Sequence, residues 1–122
     1  MDNIDWGHLL FQFDGRINRA KFWLGVVVIL IVEAIALAII AAIGFDSAIG
    51  IILALVLYVA VVWASLAISI KRWHDRGKSG WWVLISLIPL VGPIWALVET
   101  GFLPGTDGPN QYGTDPLAPG IA

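Results

Sequence analysis

The sequence has no cysteine, which excludes a disulfide framework and a thiolate metal site. Histidine is almost as scarce: His8 and His74 are the only two, too few for a histidine-rich metal centre. Charge is sparse, at 13% of residues against about 25% in an ordinary soluble domain. No basic residue falls between Phe22 and Ile70, and none follows Lys78. Apolar residues fill the space. The 122 residues are 59% hydrophobic, with a mean hydropathy of +0.87. A soluble fold this small would leave much of that surface in water, so hydrocarbon is the expected solvent. The net charge of −2 is uninformative as a total, though its distribution is not; no nucleic-acid partner and no cofactor are expected.

Three apolar runs stand out: 22–43, 48–70 and 81–103. About 20 helical residues cross a hydrocarbon core roughly 30 Å thick. Backbone groups inside that core need internal partners, so the runs are predicted to be helices. Gly44, Phe45, Asp46 and Ser47 permit only a tight antiparallel hairpin between the first two. The 71–80 stretch is polar and basic and reads as a loop. Pro89, Gly92 and Pro93 interrupt the third run, so re-entry is its alternative to a full crossing. A signal peptide over 1–36 is disfavoured, because its apolar run is too long and contains Glu33.

The expected architecture is an all-α membrane protein in three parts. Residues 1–21 form an interfacial segment, with Trp6, Leu9, Leu10 and Phe13 at helical spacing. Residues 22–103 form the transmembrane domain. Residues 104–122 are dense in turn formers and read as an ordered, irregular tail.

The seven basic residues are Arg16, Arg19, Lys21, Lys71, Arg72, Arg76 and Lys78. They sit before the first run or between the second and third. The positive-inside rule then places the N-terminus and 71–80 in the cytoplasm. With three crossings the C-terminus lies outside. Five of the seven tryptophans flank the same basic boundary.

Arg16, Arg19, Lys21, Arg72, His74, Asp75, Arg76 and Lys78 therefore make one candidate site. Its chemistry suits an anionic phospholipid head group, since juxtamembrane cations attract such lipids by about 1 kcal/mol each. A membrane partner protein or a second copy is the other expected occupant. Setting topology and pairing with Asp14 and Asp75 is the simpler role for the same charges. Gly77-Lys78-Ser79 is not a phosphate-binding loop, because position 72 is Arg and no strand precedes it. Glu33 lies inside the first run, with Tyr58 of the second as a candidate partner. Glu99 is expected near the outer end of the third. An intramembrane acid is costly, so Glu33 supports either a hydrogen bond between helices or, in an oligomer, a transport role. The leading expectation is a non-enzymatic membrane protein that binds lipid or a partner at its basic face. A small transporter or channel component is the runner-up.

Three motifs stand in order: Gly15-Arg16-x-x-Arg19-x-x-Phe22-Trp23, Arg72-Trp73-His74-Asp75-x-Gly77-x-Ser79-Gly80-Trp81-Trp82, and Gly105-Thr106-x-Gly108-x-Asn110-x-Tyr112-Gly113-x-Asp115-Pro116. Together they resemble the domain of unknown function 805 family of small bacterial inner-membrane proteins. Lys71, Trp73 and Thr114 stand where Arg, Leu and Pro are common. The resemblance implies a helical protein of the bacterial cytoplasmic membrane and supplies no catalytic residues.

Overall fold

A computed structural model describes residues 4–117. The parts of the N-terminal segment and of the tail that fall in 1–3 and 118–122 lie outside the described residues. The described chain holds four α-helices, a 3-10 helix and a π-helical turn. These are α1 (Trp6–Phe11), α2 (Arg19–Ile43), α3 (Ala48–Asp75), the 3-10 helix (Gly80–Leu87), α4 (Val91–Leu97) and the π turn (Val98–Phe102).

Each long helix starts on a residue suited to the task. Asn18 accepts a bond from the Lys21 amide at 2.8 Å, and Ser47 one from the Gly50 amide at 3.0 Å. Both side chains satisfy an amide that has no partner within its helix. Gly44 ends α2, and its amide bonds Ile40 O at 2.7 Å. The expected hairpin at 44–47 is therefore present. With 25 and 28 residues, α2 and α3 run about 37 and 42 Å, and both are long and apolar enough to cross a membrane. They pack antiparallel, with Gly25 directly against Ile68. Most of their apolar residues face outward, as lipid-facing surfaces do.

The structure corrects the basic loop. α3 does not stop at Ile70 but continues through the cations to Asp75. It closes on a Schellman motif: Gly77 has φ 79, its amide bonds His74 O at 2.9 Å, and the Lys78 amide bonds Trp73 O at 2.8 Å. Only 76–79 is irregular.

The third crossing is also corrected. Segment 81–103 turns back on itself as a hairpin of the 3-10 helix and α4. The turn has a specific cause. Leu90 takes φ 67 and ψ −61, and the Val91 amide bonds Pro89 O at 2.8 Å. That is a γ-turn of the rarer hand, which reverses the chain within three residues. Pro89 has no amide to carry a helix through this point. Leu84 and Leu87 face Val61 and Val62 across a cavity, which puts the tip about 15 Å along α3 from Lys71.

The tail then returns to the end from which the hairpin left. The Thr106 amide bonds Asp75 O at 2.7 Å. The described tail lies beside the basic residues, at the end that also holds Arg16 and Asp75. The tail is irregular, as anticipated, and closes on a bridge between Asn110 and Gly113. The buried apolar core of Leu9, Ile17, Phe22 and Ile68 sits at this same end.

Candidate functional site at the basic end

Four stretches supply the side chains of the basic end. The linker before α2 brings Arg16, and the first turn of α2 brings Arg19 and Lys21. The last turns of α3 bring Lys71 to Arg76. The hairpin and tail bring Glu99 and a row of carbonyls.

Asp75 is the hub. Its Oδ1 accepts from Arg16 Nε at 2.9 Å, and its Oδ2 accepts from Arg72 Nη1. All three side chains are buried. Buried guanidinium groups need every donor satisfied, and carbonyls do most of this. Arg16 also donates to Thr106 O at 2.7 Å, Gly108 O at 2.8 Å and Gly113 O at 3.3 Å. Arg72 donates to Thr100 O and Leu103 O, each at 2.6 Å, and to Ile17 O at 3.3 Å. Gly105 lies so close that a Cβ there would sit 2.0 Å from Asp75 Oδ2. Glycine is what lets the tail backbone reach the hub.

A second ion cluster surrounds Glu99. Its carboxylate accepts from Lys78 Nζ at 2.8 Å, Trp95 Nε1 at 2.8 Å and Arg76 Nε at 3.3 Å. Lys78 also lies 4.7 Å from the centre of the Trp82 ring, a cation–π contact. The expectation that Glu99 sits near an outer end is corrected. The returning hairpin carries it back to the basic end and buries it there.

Lys71 reaches into α1 and donates to the carbonyls of His8, Leu9 and Gln12, the last two at 2.8 and 2.6 Å. It thereby satisfies orphan carbonyls at the end of that helix.

His74 and Asp75 turn apart. His74 Nδ1 lies 2.9 Å from Gly15 O, and its ring stacks on Tyr112 with centroids 3.9 Å apart. Burial, partly offset by that bond and by Asp14, holds the imidazole below its ordinary pKa. Asn110 Nδ2 donates to His74 O at 2.8 Å. The Asp115 carboxylate is held below its ordinary pKa by bonds from the Leu117 and Gly108 amides. The motif residues of all three segments thus meet in one cap.

Arg19 and Lys21 differ from the rest. Arg19 is exposed and donates one bond, from Nη1 to Phe102 O at 2.7 Å. Lys21 makes no side-chain hydrogen bond among the described residues. With Arg16, His8 and Tyr112 it lines a cavity of about 330 Å³. Glu33 and Tyr58 do not meet. Glu33 is half-buried, Tyr58 is exposed, and neither forms a side-chain hydrogen bond among the described residues. No group of His, Asp and Glu among the described residues could hold a metal.

Sequence reasoning missed Lys71, Thr100 and the carbonyls of 103–113 as members of the site. One signal was available. Six described acids other than Glu33 and Asp46 lie at the same end as the seven cations, so the cap is close to neutral.

Two membrane-length helices, a hairpin that turns back on itself and a neutralised ionic cap define a small helical protein of the membrane. The chain belongs to the family described as protein of unknown function DUF805, whose model matches residues 10–114. It is 33% identical over 105 residues to the inner membrane protein YhaI of Escherichia coli K12, covering 85% of each chain. It is 30% identical over 106 residues to the inner membrane protein YhaH of the same strain, covering 85% of this chain and 86% of that one. The uncharacterised protein YiiR is 27% identical over 130 residues, covering 87% and 86%. No solved structure matches.

Proposed function

We propose that this is a non-enzymatic protein of the bacterial inner membrane that holds an anionic phospholipid at the rim of its cap, through Arg19 and Lys21. One observation carries the reading. Arg16, Lys71, Arg72, Arg76 and Lys78 are tied to carbonyls or buried carboxylates of the chain, whereas among the described residues Arg19 makes a single bond, to Phe102 O, and the Lys21 side chain makes none. Both lie in the first turn of α2, where the helix dipole favours an anion. Trp23 follows them, at the level where indoles meet head groups. The positive-inside rule puts this face, and with it the returning tail, in the cytoplasm.

The test is native mass spectrometry of the full chain from nanodiscs holding phosphatidylglycerol and phosphatidylcholine. Retained anionic lipid is expected, and Arg19→Ala with Lys21→Ala should weaken it about thirtyfold. Equal retention by wild type and variant, or no anionic preference, would refute the reading. Arg72→Ala is unsuitable, because it removes a buried part of the fold.

Glu33 favours a second reading, an oligomeric transport component. A half-buried acid inside α2, without a hydrogen bond among the described residues, is a group that a partner helix or a proton would satisfy. Proton flux in proteoliposomes should then disappear in Glu33→Gln. Equal flux in both would discard it.

A further inference from the structure

We infer that the protein selects lipid surfaces that are convex on the side of its basic cap. This rests on the membrane reading above and adds a shape to it.

The two halves of the molecule have unequal cross-sections. At the hairpin end, only α2 and α3 are present. Ile35 and Ile39 on α2, and Ile49 and Ile52 on α3, are exposed there. At the cap end, the same two helices are joined by the 3-10 helix, which packs on α3, and by α4, which packs on the 3-10 helix. α1 adds to this. Trp63 Nε1 donates to Phe11 O at 2.8 Å, and the Phe13 and Trp63 rings lie 4.8 Å apart. The end of α1 thus lies beside α3 between the levels of Trp63 and Lys71, which are about 12 Å apart along the helix. A helix about 10 Å across occupies roughly 80 Å². The far leaflet accommodates about 160 Å², and the cap leaflet about twice that even before α1 is counted.

The wedge is also rigid. Arg72 and Arg19 bind carbonyls of the π turn and Leu103, and Trp23 Nε1 donates to Gly101 O at 2.8 Å. Lys71 holds α1 in the same way. The base of the returning hairpin and the end of α1 are therefore fixed to α2 and α3. A leaflet that is convex on the cap side has more area per lipid at that depth and accepts the wedge with less compression. Insertion into one leaflet is sensitive to curvature for this reason.

The test uses the whole chain carrying a dye on Gln111→Cys, an exposed position in a sequence with no native cysteine. It is reconstituted into phosphatidylcholine–phosphatidylglycerol vesicles from about 50 to about 400 nm across. An impermeant quencher separates cap-out from cap-in molecules. Cap-out molecules should be about threefold denser on the smallest vesicles, and cap-in molecules should show the reverse. Equal density at all sizes, or one preference for both orientations, would overturn the inference. So would two-step photobleaching, because a second copy could even out the section. Protein that does not float with the vesicles would remove the membrane reading, and this inference with it.

Discussion

Arg16 and Asp75 meet across 59 positions of sequence, Nε to Oδ1 at 2.9 Å, with both side chains buried. Around that pair, Arg72 and the tail carbonyls complete the shell. The basic residues that suggest a ligand site in the sequence are largely the mortar of the fold.

Asp75→Asn should therefore destabilise the protein by about 3–5 kcal/mol, because it leaves two buried guanidinium groups without their anion. Thermal unfolding in mild detergent measures this. A loss below about 1 kcal/mol would mean that the carbonyls suffice.

Reporters fused before Met1 and after Ala122 should respond from the same compartment. The hairpin brings 104–117 back to the end that holds Arg16 and Asp75. Opposite compartments would mean that 81–103 crosses in spite of the reversal at Leu90.

Leu90→Gly should stabilise the chain by about 1 kcal/mol. A leucine at φ 67 carries strain that glycine does not. Chemical or thermal denaturation in detergent reads the change. Destabilisation would indicate that the exposed leucine side chain anchors the tip.

Stability should fall as the medium is made acidic below about pH 6.5, partly through His74. Burial holds its folded pKa below the ordinary value, so the unfolded chain takes up a proton first as pH drops. The contribution is complete above the unfolded value and is lost on the way down to the folded one. His74→Phe, which keeps the stack on Tyr112, should flatten the melting temperature between about pH 7 and pH 5.5. An unchanged slope would refute the role of His74.

The motif residues divide by how local their roles are. Asn18, Gly44 and Ser47 act within a few positions, so the starts of α2 and α3 and the hairpin between them are readable directly. Gly105, Asn110 and Tyr112 carry no such local sign. Gly105 gives room to Asp75, Asn110 bonds the His74 carbonyl, and Tyr112 covers the His74 ring. These roles span 30 to 38 positions and exist only once the tail has returned. Arg72 shows the same limit: its neighbours in sequence suggest an open loop, whereas the fold buries it completely.

The sequence by itself determined the solvent, the two long helices and the gathering of every cation at one end. Run length, capping residues and charge placement are properties of a single stretch of chain. Tertiary structure alone decided that the third apolar run turns back, that Glu99 joins the cap and that Arg16, Arg72 and Lys71 become internal clamps. Length and hydropathy are the same for a helix that crosses and a hairpin that returns. What separates them is one reversed residue at Leu90 and the carbonyls that the returning chain presents to buried arginines.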